Sequence, residues 1–306
     1  MADASGRGMC GREAASDSCS LAPMNATSLA APTVVAFRAL HESGCFVLPN
    51  PWDVGSAVYL QHLGFKALAS TSAGFAFTRG LPDAVWAIPR DAMLAHVREL
   101  VVATPLPVNA DYQAGFADEP QGVAENVTLC VQTGAAGLSI EDATGNPDAP
   151  LYERARAVAR VRAARRAIDA TGVPVVLTAR CEAWLVGHPE PARTCIDRLV
   201  AFADAGADCL YAPGVRDLTV IATIVKAVAP KPVNVLVSSP SPDLTVARLT
   251  DLGVRRISVG SALARVAWGA FMTAARSIAE TGTFDAFSGA APFSEINAIF
   301  QVARPR

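Results

Sequence analysis

The sequence of 306 residues has little charge and no excess of either sign, with 18% charged residues and a net charge of −2 at pH 7. Without a basic field, and without a stripe of Lys or Arg interleaved with aromatic residues, the chain has no footprint for nucleic acid. It also lacks any apolar run near the ~18 residues that a membrane helix needs. The mean hydropathy of +0.30 therefore points to buried strands and Ala-rich helices in a soluble protein. Seven cysteines form an odd set with no CxxC and no Cys/His metal spacing. Reduced thiols in a cytoplasmic protein fit this better than a disulfide framework. None of the four histidines, His41, His62, His96 and His188, falls at the end of a predicted strand. No histidine base and no zinc site are in view.

Residues 1–29 lack periodicity and lack the apolar core of a secretory signal, so they read as a disordered tail, with Met24 as a second candidate start. From Pro32 onward the pattern alternates between strand and helix. Strands are predicted at Cys45 to Leu48, Ala67 to Ser70, Pro107 to Asp111, Gly137 to Asp142, Val175 to Arg180, Cys209 to Ala212, Val233 to Val237 and Ile257 to Gly260. Helical segments separate them, several ending on a glycine such as Gly64, Gly134 or Gly206, the residue that closes a helix in the left-handed conformation. Eight β/α units in succession predict a (β/α)8 TIM barrel over residues 30–261. An open dinucleotide-binding sheet would need a Gly-rich turn after its first strand, where this chain has Pro49-Asn-Pro-Trp-Asp53. Residues 262–306 give one more long helix, Ala262 to Thr281, and an apolar tail broken by Gly and Pro. Packing on another subunit is expected for this segment, with folding back onto its own barrel as the alternative.

In such a barrel the chemistry stands at the C-terminal ends of the strands. There the sequence places Asn50 and Asp53, Thr71 and Ser72, Asp111 and Gln113, Glu141 and Asp142, Arg180 and Glu182, Tyr211, Asn234, and Ser258 with Ser261. The stretch Leu106 to Phe116 is the clearest case, an apolar strand that delivers Asp111 and then breaks into Gly115. Asp111 and Glu141 with a loop acid such as Asp83 suit a hard cation held by oxygen, Mg2+ or alternatively Mn2+, and not zinc. Any one of these acids alone could equally be a helix cap or a structural ion pair. Arg180 ends a buried strand and needs an anion, either a substrate carboxylate or Glu182. Thr71-Ser72-Ala73-Gly74 offers hydroxyls and backbone N–H groups to an oxyanion. Cys181 follows Arg180 but has no histidine partner, so a nucleophilic thiol is disfavoured.

With these residues in hand, the chain resembles the isocitrate lyase and phosphoenolpyruvate mutase superfamily over about residues 32–285. The resemblance rests on Gly64-Phe-Lys-Ala-Leu-Ala-Ser-Thr-Ser72, Asp111-Tyr-Gln-Ala-Gly-Phe, Gly137-Leu-Ser-Ile-Glu-Asp142 and Thr178-Ala-Arg-Cys-Glu-Ala183. It implies a homotetramer, a dimer of dimers that exchanges the last helix. It implies Mg2+ directly on Asp111, with Asp83, Gln113 and Glu141 acting through bound water, and Thr71, Ser72, the Ala73 backbone, Arg180 and Asn234 holding a small 2-oxo or 2-hydroxy acid. Arg180, Glu141, Glu182 and Tyr211 are the implied catalytic set, working on a metal-chelated enolate.

Two departures from the family pattern bear on the reaction. Gln113 stands where an aspartate is common, which removes one negative charge near the metal. The segment after strand 4 is Ala143-Thr-Gly-Asn-Pro-Asp-Ala-Pro150, with none of the lysine, cysteine and histidine of the lyase loop. A carbon–carbon lyase remains the expectation, with loss of carboxylate from an oxaloacetate-like acid asking least of the missing proton donor. Other cleavages would leave Tyr112, Tyr211 or Glu182 to carry the proton. The alternatives are a phosphonopyruvate mutase or hydrolase acting on a P–C bond, and a barrel that binds a dicarboxylate without catalysis.

Overall fold

The alternation becomes eight parallel strands in the structure, a computed structural model that describes residues 26–302. The strands are Phe46–Leu48 (β1), Leu68–Ala69 (β2), Val108–Asp111 (β3), Gly137–Glu141 (β4), Val176–Arg180 (β5), Cys209–Tyr211 (β6), Val233–Leu236 (β7) and Arg256–Ser258 (β8). Each of β2 to β7 pairs with its successor, and β8 pairs with β1. The remaining seam, between β1 and β2, is closed by the Ala69 N–H donating to the Pro49 carbonyl at 3.0 Å. Asn50 Nδ2 reinforces it by donating to the Ser70 carbonyl at 2.9 Å. The predicted (β/α)8 barrel is therefore the observed fold.

The surrounding helices are Ala26–Leu40 (α1), Val54–His62 (α2), Ser72–Thr78 (α3), Arg90–Ala103 (α4), Pro120–Val131 (α5), Arg154–Ala170 (α6), Pro191–Asp204 (α7), Leu218–Val228 (α8) and Val246–Asp251 (α9). Beyond the barrel come Ala262–Thr281 (α10), a 3-10 turn at Asp285–Gly289, and Phe293–Val302 (α11). Local chemistry sets several of the starts. Asp217 caps α8 by accepting from the Thr219 and Val220 N–H groups, and Ile221, Ile224 and Val228 then face the barrel at helical spacing. Asp53, counted above among the strand-end acids, is the cap of α2 in a reciprocal box with Ser56. α1 starts at Ala26, inside the segment expected to be a tail, while residues 1–25 lie outside those described.

The strands are buried on both sides, as parallel strands under a helical layer must be. In β4 and β5 every residue is buried except the last, Glu141 and Arg180, so the strand end is where charge emerges. Below, Phe37 of α1 closes the floor against Gly137. A Cβ at residue 137 would fall 2.6 Å from the Phe37 ring and 2.5 Å from Asn109 Oδ1, so that strand position needs glycine. Each fully buried Leu or Ile of this core contributes roughly 1.5–3 kcal/mol relative to exposure.

Three boundaries differ from the expectation in ways that matter for the site. β8 starts at Arg256, one residue earlier than predicted, which turns that arginine into the barrel. The Thr71-Ser72-Ala73-Gly74 stretch is not a free loop but the start of α3, with Thr71 Oγ1 accepting from the Gly74 N–H at 3.1 Å. The C-terminal tail is also more regular than its Gly and Pro suggested, forming the 3-10 turn and α11. The expected exchange between subunits involves a second chain. Within one chain, α11 returns to α2, where a Cβ on Gly55 would lie 3.6 Å from Phe300. Among the described residues of α10 only Ala264 is buried, while Val266, Trp268, Phe271 and Met272 stay exposed.

Candidate active site at the strand ends

Side chains alternate along a strand, so residues two apart face the same side. That rule stacks Asn109 under Asp111, Ser139 under Glu141, Thr178 under Arg180, and Arg256 under Ser258. Except for Thr178, all of them line one pocket of about 650 Å3 at the C-terminal mouth of the barrel. Its centre is Arg180. Nη1 lies 2.8 Å from Asp111 Oδ1 and 2.7 Å from Glu141 Oε1, while Nε donates to Glu182 Oε1 at 2.9 Å. Of the two anions expected for this arginine, the internal one is present, and two further carboxylates have joined it.

Asp111 is held from the other side as well. Its Oδ2 accepts from both the N–H and the Oγ of Ser72, each at 2.9 Å. Its own N–H donates to Ser70 Oγ at 2.8 Å. Burial raises the Glu141 carboxyl well above its ordinary range; Arg180 pulls it back, and Glu182, Asp111 and Asp83 push it up again. Glu182 is raised for the same first reason, against the pull of Arg180. Burial weakens the charge on Arg180, but Glu141, Glu182 and Asp111 outweigh it and hold the guanidinium firmly protonated. Asp83 lines the pocket from a surface loop, its carboxyl raised by loss of water and then by Asp111.

Tyr211 stands beside this group with the Arg180 guanidinium 4.9 Å from its ring centre. Burial pushes its hydroxyl up to about 12, so it keeps its proton at neutral pH. Thr71, Ser72 and Ala73 all line the pocket, as expected. Asn234 lines it too but has both ends engaged: Nδ2 donates to Ser258 Oγ and Oδ1 accepts from Arg256 Nε, each at 2.9 Å. It is a strut between strands rather than a free contact for substrate.

Two expectations are corrected by this geometry, and the thiol that was disfavoured stays out of the pocket. Tyr112 is fully buried and points away, donating to the Asn126 carbonyl at 3.0 Å, so it is no proton carrier. Asp142 leaves the pocket side of β4 to pair with Arg198 at 3.0 Å and to accept from the Glu182 N–H at 2.8 Å. Cys181 is buried behind the strand end and does not line the pocket.

Sequence reasoning missed Arg256, which lies in the pocket floor, donates to Thr178 Oγ1 at 2.9 Å and meets His41 Nε2 at 3.2 Å. The signal was available: starting the strand one residue earlier puts Arg256 in phase with Ser258. The apolar rim residues Val85, Leu185 and Val186 were missed because they belong to loops with no period.

The donor set suits a hydrated hard cation. Gln113, at φ +47, is buried and lines the pocket with its Oε1 lacking any hydrogen-bond partner. A buried acceptor left open is costly and fits a site completed by a donor such as a metal-bound water. Among the described residues, no group of three or more His, Cys, Asp or Glu side chains could hold a metal by itself. A cation here would therefore take few ligands from side chains of this set and complete its shell with other oxygens or water. Asp111 Oδ1, although paired with Arg180, has lone-pair capacity for a further partner.

Comparison with known proteins agrees with this fold. The family model described as phosphoenolpyruvate phosphomutase matches residues 37–279. A solved structure from Burkholderia cenocepacia J2315, described as a candidate lyase/mutase, is 50% identical, superposes with a TM-score of 0.84 and aligns over 89% of this chain and 97% of its own. The 2-methylisocitrate lyase of Salmonella typhimurium is 32% identical over 193 residues, 60% of this chain and 63% of its own. The oxaloacetate decarboxylase of Rhodopseudomonas palustris is 30% identical over 222 residues, 69% of this chain and 72% of its own.

Proposed function

The chain belongs to the phosphoenolpyruvate phosphomutase family, within the isocitrate lyase and phosphoenolpyruvate mutase superfamily, and from that premise we propose that it is a Mg2+-dependent carbon–carbon lyase acting on a small 2-oxo or 2-hydroxy acid. The observation that carries this reading is the surplus of carboxylates around Arg180. Three acids meet one guanidinium, a fourth lines the same pocket, and Gln113 Oε1 is left open. A structural ion pair would need one acid, so the excess suits a site that receives a cation together with an anionic substrate.

Asp111 would hold the metal directly, with Asp83, Gln113 and Glu141 reaching it through water. When bound, Mg2+ acts as a Lewis acid that draws the charge developing on a 2-oxo acid onto oxygen. Arg180 then turns its positive charge to the substrate carboxylate while Glu182 keeps its Nε oriented. Ser72 fixes Asp111, and the start of α3 at Ser72 and Ala73 shapes the wall against which the acid head lies. Tyr211, whose hydroxyl burial pushes up to about 12, stays neutral beside Arg180 and is the hydroxyl assigned to face the reacting carbon. The segment 143–150 has no thiol, lysine or histidine to protonate a departing carbanion, so loss of carboxylate is the cleavage that this pocket serves with least added chemistry. The names of two relatives, a 2-methylisocitrate lyase and an oxaloacetate decarboxylase, support the same bond type. A P–C bond reading is less well supported, because the segment 143–150 holds no lysine to meet a phosphonate dianion.

The test is product formation from a panel of 2-oxo and 2-hydroxy acids, oxaloacetate included, with Mg2+ and with EDTA. Turnover is expected with metal alone and is expected to vanish in Asp111→Ala. Full turnover in EDTA would refute the reading, and binding without any product across the panel would favour a non-catalytic barrel.

A further inference from the structure

The pocket is polar on its axis and uneven around its rim. On one side stand Val85, Ala143, Leu185 and Val186, contributed by three separate loops. Ala143 follows β4, and Leu185 and Val186 follow β5. Val85 comes from the loop after α3, yet it is locked onto the β4 loop: a Cβ on Gly145 would fall 2.8 Å from Val85 Cβ. The β4 loop is shaped to stay there, closed on itself by the Thr144 N–H donating to the Pro150 carbonyl at 3.0 Å. Single exposed apolar residues are ordinary on a surface. Here buried Ala143, half-buried Val85 and Val186, and exposed Leu185, which keeps 56% of its surface open, meet over a cluster of carboxylates and make a wall.

No cation serves that side. Three arginines line the pocket. Arg180 is shared among Asp111, Glu141 and Glu182 and, on the reading above, is committed to the carboxylate of the acid head. Arg256 sits in the floor among Asn234, Thr178 and His41. Arg265, in the first turn of α10, donates to the Ser238 carbonyl beyond β7. In a ring of eight strands β8 lies across from β4, so Arg265 occupies the opposite rim. A carboxylate placed against Leu185 and Val186 would lose its water without gaining a partner, whereas an alkyl group would bury apolar surface on both sides.

From this asymmetry we propose that the substrate carries, beyond its 2-oxo or 2-hydroxy acid head, an apolar branch received by the wall of Val85, Ala143, Leu185 and Val186. The inference rests on the reading of the head site given above and adds the chemistry of the substituent. It makes Leu185 and Val186 specificity residues, set apart from the groups that hold the metal.

Binding in the presence of Mg2+ tests it with four ligands. Oxalate and pyruvate report the head site. 4-Methyl-2-oxopentanoate and 2-oxoglutarate share that head and differ in ending on an isopropyl group or a carboxylate. The branched acid is expected to bind about tenfold or more tightly than pyruvate, since each buried methylene is worth roughly fourfold. It is also expected to bind more tightly than 2-oxoglutarate. Leu185→Lys, at an exposed position, is expected to reverse the order of those two while oxalate binding stays within about twofold of wild type. Tighter binding of 2-oxoglutarate by the wild type, with oxalate still bound, would overturn the apolar wall and point to Arg265, leaving the head site intact. Failure of oxalate itself to bind would overturn both readings.

Discussion

Two arginines enter the interior of this barrel, and their surroundings are opposite. Arg180, at the end of β5, lies within hydrogen-bond distance of three carboxylates. Arg256, at the start of β8, is more thoroughly removed from water, yet its partners are an amide oxygen, a hydroxyl and the ring nitrogen of His41. That ring stays neutral, because burial first and Arg256 second hold its pKa down to about 3. The scaffold can therefore accommodate a buried guanidinium with neutral acceptors alone. The acids around Arg180 exceed what is needed to keep an arginine in place, and on this excess rests the proposal that the upper cluster is the functional one.

The largest effect expected from that contrast is on stability in the absence of metal. Arg180→Ala leaves Asp111, Glu141 and Glu182 facing one another in a buried pocket. It is expected to cost about 3 kcal/mol or more of unfolding free energy in EDTA, as breaking a buried pair usually does. Mg2+ should recover part of this loss by binding only the folded state. Arg256→Met, of similar length, deprives neutral acceptors only and is expected to cost about 1–2 kcal/mol with no response to Mg2+. Urea titrations of the two variants, with and without metal, make the comparison. Equal losses with no metal response would erase the distinction between the two clusters.

A smaller effect should appear in acid. A histidine whose pKa is lowered from 6.5 to about 3 by folding stays neutral in the native state, while the unfolded chain takes up a proton below pH 6.5. The stability that neutral His41 contributes is thus complete above pH 6.5 and is lost as pH falls toward 3. Arg256→Met removes the cation beside His41 and lets its pKa rise. The stability advantage of wild type over this variant should shrink between pH 6.5 and pH 4, and a difference independent of pH would show that Arg256 and His41 are not linked.

The same contrast explains what the sequence made legible. A strand that ends in a charge announces itself, because the apolar run stops at Asp111, Glu141 or Arg180, and the order of eight such runs was enough for the barrel. Arg256 stands at the start of its strand, where a charge looks like part of the preceding loop, and only the pairing register with Phe46 and Asn234 turns it inward. Asp53, Asp142 and Tyr112 carried the right residue types at the right ends but were drawn off by local partners: an N-cap, Arg198 and the Asn126 carbonyl. Such partners lie 56 residues away in the case of Asp142 and Arg198, beyond any local pattern. The apolar rim was illegible for another reason, since Val85, Leu185 and Val186 converge from loops that are joined only by packing.

The central claim is that the acids around Arg180 form a metal-assisted site for a small 2-oxo acid, with Asp111 as the direct ligand. Its most direct test is a calorimetric titration of oxalate into the wild-type protein and into Asp111→Ala, each with Mg2+ and with EDTA. Oxalate is expected to bind the wild type only when Mg2+ is present and to bind Asp111→Ala under neither condition. Equal affinity with and without metal, or full Mg2+-dependent binding by Asp111→Ala, would contradict the account.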